Sequence, residues 1–139
     1  MSFDPSRFDP LNGDNIIRIA AGLFMFPHVA GKFLDHAAVL GFFTKAGFPN
    51  PEFFIGLAAL TEALSGICLV LGLWVRFAAP AAAGALIVAV GALHQVGGFK
   101  WLWNKGGYEY PVFWALICIA LALKEWMPVI RRRFGGGRI

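Results

Sequence analysis

Glu62 stands ten residues into an apolar run spanning residues 52–74, with no basic residue four positions away on either side. At 1.5 Å per residue it lies roughly 15 Å from the start of that run. An ionisable group at such a depth in hydrocarbon costs about 2.5–3.5 kcal/mol on insertion scales. It is therefore expected to find a basic partner on another segment or to stay protonated. Four more ionisable residues sit in or beside apolar runs: His28, Lys32, His94 and Glu109. In antiparallel spans, Cβ bonds tilt toward each helix's own N-terminus. Glu62 then leans toward the outer face, while His28, Lys32 and His94 lean inward from neighbouring spans. Lys32 lies one turn from His28, and Glu109 opens the last span. Together the five define an expected polar pocket in the outer half of a helix bundle. A carboxylate beside an imidazole and an ammonium can relay a proton, and the ammonium can steer an anion.

Each residue also has a plainer reading. His28 and His94 lack the helical carboxylate–histidine spacing of a metal site, so they read as hydrogen-bonded bundle histidines and no metal is expected. Lys32 can snorkel to the interface. Glu62 can be a neutral acid bonded to a carbonyl. Arg76 reads as an inside-positive anchor and Arg18 as a headgroup contact. As a group, though, Lys32, Glu62 and Glu109 exceed what a passive bundle needs.

The elements that must position these groups follow from composition. Apolar residues make up 58% of the 139 and charged residues 14%, against roughly 45–50% and about 25% in soluble domains. The mean hydropathy is +0.67. A water-soluble fold of this length cannot hide so much apolar surface. The fold class is therefore an all-α membrane protein, a single four-transmembrane-helix antiparallel bundle. The spans run 15–34, 52–74, 77–96 and 110–127, followed by a basic tail, 128–139. Each span has roughly the 20 residues needed to cross a bilayer core. The N-terminal stretch, with Asp4, Asp9 and Asp14, lacks the basic start and cleavage site of a signal peptide, so the first span is expected to remain.

Of the twelve basic residues, Arg7, Arg18, Arg76, Lys124, Arg131, Arg132, Arg133 and Arg138 fall on one side of this topology. Lys32, Lys45, Lys100 and Lys105 fall on the other. The bias places both termini in the cytoplasm. Trp74 and Trp126 then mark the inner interface, and Trp101, Trp103, Tyr108 and Tyr110 the outer one. The net charge of +4 comes from no single basic face, so lipid headgroups and not nucleic acid are the expected partner.

The 74–77 connection is too short for anything but a tight hairpin. Residues 36–46 are expected to form a short interfacial helix ended by Gly47, Phe48 and Pro49. Residues 97–109 read as an ordered cap. Gly56, Ala59, Ala63 and Gly66, with the alanine-rich start of the third span, predict close helix approach. Cys68 and Cys118 sit at depths that differ by roughly 12 Å and are expected to be free packing residues.

With these residues in view, the chain resembles the DoxX family of small bacterial membrane proteins. The likeness runs through Gly31-Lys32, Phe43, Gly47, Pro49 and Pro51, then Glu62, Gly66, Leu69, Leu71, Gly72 and Leu73. It continues with Arg76, Ala78 and Ala79 and closes with Gly107-Tyr108-Glu109-Tyr110-Pro111. It covers residues 16–125; Glu125-Trp126-Met127-Pro128 and the Arg131–Arg133 run depart from the family pattern. The resemblance implies a four-helix fold in the bacterial inner membrane and an association with oxidoreductase systems. Members are described as quinone-linked sulfur-oxidation subunits or membrane parts of oxidative-stress complexes.

Two functions compete. The first is a redox-associated subunit whose outer pocket holds a quinone or similar small molecule. No haem, flavin or iron–sulfur signature is present in the sequence and no covalent cofactor is expected, so electrons would come from a redox protein partner or the substrate. The alternative is a structural or accessory subunit of a larger membrane complex or a homo-oligomer, without chemistry of its own. A transporter is the weakest reading, since four helices leave little room for alternating access. The orientation is testable. In intact cells an impermeant thiol reagent is expected to label Asn104→Cys from outside and to leave Gly136→Cys unlabelled. The reverse pattern would invert the topology.

Overall fold

The computed structural model describes residues 5–134. Asp4, Gly135–Gly137 and Arg138, on which parts of the charge and tail arguments rest, lie outside the described residues. Six helices follow in order: α1 (Gly13–Leu23), α2 (Met25–Leu34), α3 (His36–Lys45), α4 (Pro51–Leu71), α5 (Val75–Gly97) and α6 (Glu109–Phe134), with 3₁₀ turns at Pro5–Phe8 and Trp103–Lys105. No strand occurs among the described residues. Four segments are long and apolar enough to cross a membrane: Gly13–Leu34, Pro51–Leu71, Val75–Gly97 and Glu109–Arg133. The first combines α1 and α2. Pro27 explains their separation: it has no N–H to give, and its ring crowds the carbonyl of Leu23, where α1 ends.

The hairpin and the described ends share one side of the bundle, here the hairpin end; α3 and residues 98–108 cover the other, the capped end. The second span stops at Leu71, short of the expected Trp74. Gly72 adopts φ +66°, the Gly72 N–H donates to Leu69 O at 3.2 Å, and the Leu73 N–H donates to Cys68 O at 2.8 Å. That pair is the Schellman pattern of a glycine-ended helix. Leu73 and Trp74 are apolar and so extend the hydropathy signal, but they form the turn. The last helix continues past Met127 through Pro128 into residues expected as tail. Arginine is a good helix former, and the Arg131–Arg133 run complements the C-terminal dipole.

Packing is tightest toward the hairpin end. Gly22 of α1 and Gly66 of α4 let the two backbones meet: a Cβ on Gly22 would lie 2.7 Å from Gly66 O and 2.9 Å from Leu69 Cβ. Ala78, Ala79, Ala82 and Ala83 of α5 are buried in one core with Cys118, Leu121 and Ala122 of α6. Of the expected small-residue stripe, Ala59 and Gly66 are buried, whereas Gly56 is exposed with no atom within 4 Å of a would-be Cβ. The cysteines are free, as expected.

Arg18 corrects a sequence expectation. It does not reach for headgroups but is 6% exposed. Its guanidinium donates to Leu69 O, to Val70 O at 2.9 Å and to Arg7 O. Arg7 in turn donates to Gly72 O at 3.1 Å. The last carbonyls of α4 lack the helical donor four residues on, and arginine supplies further donors there.

Gly22 of α1 and Gly56 of α4 give a paired test. Gly22→Ala is expected to destabilise by about 1–3 kcal/mol through overpacking. Gly56→Ala is expected to stay within about 0.5 kcal/mol of the parent. Thermal unfolding of both variants in one detergent decides the matter.

Candidate functional site

Toward the capped end the helices part around a cavity of about 1060 Å³. Small residues on α5 (Gly84, Ala85, Ala89, Ala92) leave its space unfilled, and Phe42, Phe43, Phe48 and Phe54 roof it. These phenylalanines form a chain of ring contacts, with Phe43–Phe48 at 4.9 Å and Phe48–Phe54 at 5.1 Å between centroids. Phe42 and Phe43 belong to the α3 segment expected from the sequence. Its turn back to α4 uses Gly47 at φ +83°.

Lys32 and Glu62 meet on the cavity wall. Lys32 Nζ donates to Glu62 Oε2 at 2.6 Å, and the two side chains are only 11% and 14% exposed. The same ammonium donates to the main-chain carbonyl of His28 at 3.2 Å. α2 carries the cation and α4 the acid, and the two helices pack against each other. A charged pair removed from water persists when its remaining donors are satisfied, and the His28 carbonyl helps do so.

His28 lies at the cavity rim and is exposed. Its ring stacks on Tyr110 at 6.5 Å and 18°, and lies 5.4 Å from Trp114. It reaches Lys32 through its main chain, and the hydrogen bond to Glu62 comes from the lysine. Trp114 is buried, and its Nε1 donates to Ala21 O at 3.2 Å. Ala21 is among the last four carbonyls of α1, where the helical ladder runs out at the break. Sequence reasoning missed Trp114 altogether; its place in the last span at one turn from Tyr110 was the available signal.

Two other candidates lie elsewhere. Glu109 does not fold toward Lys32 or a histidine: its Oε1 accepts from the Trp103 N–H at 3.1 Å. The 98–108 loop dictates this, because it closes on itself through Tyr108 N to Lys100 O at 3.1 Å, Glu109 N to Trp101 O at 3.0 Å and Gly107 N to Leu102 O at 2.9 Å. Gly107 is required there, since a Cβ would sit 2.3 Å from Trp101 O. His94 faces this loop, with Nδ1 3.4 Å from the Tyr108 hydroxyl. Glu109 and His94 thus shape the cap, while Trp103 and Gly107 of that cap line the cavity. Among the described residues no group of three or more His, Cys, Asp or Glu side chains could hold a metal ion.

The arrangement can hold a molecule with an apolar, ring-bearing body and a polar head that accepts from an ammonium or donates to a carboxylate. A family model described as DoxX matches residues 13–95, from α1 almost to the end of α5. The Gly107–Pro111 motif lies beyond that match. No curated protein and no solved structure matches the chain.

The ion pair gives a double-mutant cycle. Lys32→Met and Glu62→Leu are each expected to destabilise by about 3–5 kcal/mol, because each strands a buried charge. The double variant is expected to recover most of that loss, measured by thermal unfolding in detergent.

Proposed function

Since the chain belongs to the DoxX family and is a multi-pass membrane protein with four membrane-crossing helices, we propose that it is a redox-associated subunit whose cavity binds a quinone or a similar small molecule. One observation carries the reading: a buried Lys32–Glu62 pair opens onto a cavity of about 1060 Å³ whose wall is otherwise almost wholly apolar and aromatic. Ligand sites typically have this composition, with few polar groups fixing orientation among many apolar ones. A quinone ring matches it, offering flat faces to Phe48, Tyr110 and Trp114 and carbonyl oxygens to the Lys32 ammonium. In this role Lys32 orients the head group, and Glu62 holds the ammonium in place and exchanges a proton with the ring oxygens. Electrons come from a redox protein that docks on the bundle. In the bacterial inner membrane, with both termini in the cytoplasm, the cavity would open in the outer half of the bilayer.

The test is direct. Purified protein is extracted with organic solvent and examined for co-purifying quinone. A benzoquinone is then titrated against the fluorescence of the cavity tryptophans, Trp103 and Trp114. Saturable quenching is expected for the parent chain. Glu62→Gln keeps shape and an acceptor for Lys32 but loses the exchangeable proton. It is expected to lower the unfolding temperature less than Glu62→Leu does, because the amide oxygen still accepts from Lys32, while binding at least about tenfold more weakly, a loss of about 1.4 kcal/mol. Full binding by that variant, or no quinone binding by the parent, would leave the accessory-subunit reading standing.

A further inference from the structure

The cavity is not closed on the side of α4 and α5. Its wall there consists of Leu57, Ala58 and Thr61 from α4 and Gly84, Ala85 and Val88 from α5, and Leu57, Gly84 and Val88 are all exposed. No atom lies within 4 Å of a Cβ built on Gly84. A second, smaller hollow of about 360 Å³ continues from the same place toward the hairpin, lined by Thr61, Leu64, Ser65 and Cys68 of α4 and Phe77, Ala78 and Ala81 of α5. Thr61 belongs to both. On α4 the positions 57, 61, 64 and 68, and on α5 the positions 77, 81, 84 and 88, each follow the three-to-four spacing of one helix face. Two facing stripes therefore form one furrow between the helices, from the cavity to the hairpin. From Thr61 to Cys68 it extends roughly 10 Å along the helix axis.

The furrow is apolar in practice. The Thr61 hydroxyl donates to Leu57 O at 2.8 Å and the Ser65 hydroxyl to Thr61 O at 2.7 Å. Both hydroxyl protons are committed to their own helix, which leaves methyl, thiol and ring surfaces facing the hollow. This furrow lies on two membrane-crossing segments, so its open side faces lipid tails.

We propose that the cavity is loaded sideways from the bilayer by a long-tailed amphiphile, its head group at Lys32–Glu62 and its hydrocarbon tail along the furrow between α4 and α5. This deepens the quinone reading and rests on it: the ligand class becomes a lipid-soluble quinone carrying an alkyl or isoprenoid tail, rather than a water-soluble molecule entering through the α3 roof. The head lies beside Glu62, one residue from Thr61, where cavity and furrow join. A tail leaving that head has an apolar path toward Cys68 without crossing a buried charge.

The experiment uses the full chain in vesicles of phosphatidylethanolamine and phosphatidylglycerol. The probes are a benzoquinone with a ten-carbon tail ending in a diazirine, and the same ring without the tail. Photolysis of the tailed probe is expected to mark peptides containing Leu64–Cys68 or Phe77–Ala81. Excess unlabelled tailed quinone should abolish the marking, and Glu62→Gln should weaken it. Ala81 is exposed, so Ala81→Phe fills the furrow without entering the core. It is expected to weaken the tailed probe by about tenfold or more, while quenching by the tail-less ring is unchanged. If both rings bind but the cross-links fall outside the furrow, or Ala81→Phe affects neither probe, sideways loading is overturned and the quinone reading stands. Furrow cross-links that no competitor displaces would mean ordinary lipid contact, and would also overturn it. If neither ring binds, the quinone reading itself fails and takes the inference with it.

Discussion

Hydrocarbon supplies no partner for a main-chain N–H or carbonyl, and at several of this chain's helix ends a side chain takes the solvent's place. The guanidiniums of Arg18 and Arg7 reach the last carbonyls of α4. The Trp114 indole reaches Ala21 at the break in the first span, and the Trp126 indole donates to Arg76 O at 2.6 Å beside the hairpin. Glu109 accepts from the cap's Trp103 N–H.

The cavity follows from an uneven distribution of volume. Toward the hairpin, glycine meets glycine between α1 and α4, and alanines of α5 lie against α6, so these two pairs of helices close on each other. Farther along, α5 keeps its small residues while the neighbouring helices no longer follow them inward. The space is bounded by rings from α3 and α6 and by the one ion pair between α2 and α4. Small residues thus serve opposite ends in the same helix: contact at Ala79 and Ala82, vacancy at Gly84 and Ala85.

Much of this was legible in the sequence. Four spans, a tight hairpin between the second and third (expected at 74–77, formed around Gly72) and a short helix before Gly47 follow from apolar length and turn chemistry, and each is local. Helix ends were less legible because Leu73 and Trp74 are as apolar as the span they follow, and because arginines after Pro128 extend a helix as readily as they form a tail. The role of Arg18 could not be read at all, since its acceptors on α4, Leu69 O and Val70 O, lie more than fifty residues away. For the site, the tilt of side chains placed Glu62 near His28 and Lys32, but not which one donates. Reach decides that: the four-carbon stem of lysine spans to the carboxylate, while the imidazole turns to Tyr110 and Trp114. Glu109 was misplaced because the loop's own main-chain bonds bring Trp103 to it first.

The interruption at Phe24 divides the first membrane crossing into two bodies with different duties. α1 is pinned by Arg18 to the end of α4 and by its glycine to the middle of that helix. α2 carries Lys32 and leads directly into the roof helix α3, with only Asp35 between them. A continuous helix would share any displacement of Lys32 along its whole length; here the ladder of main-chain bonds stops at a proline-induced joint. The lysine and the phenylalanine roof therefore belong to the outer segment, which the Lys32–Glu62 pair ties to α4, and not to the half rooted at the hairpin end. The first crossing is in this sense two jointed segments, one rooted in the bundle and one that carries the chamber's cation and leads into its roof.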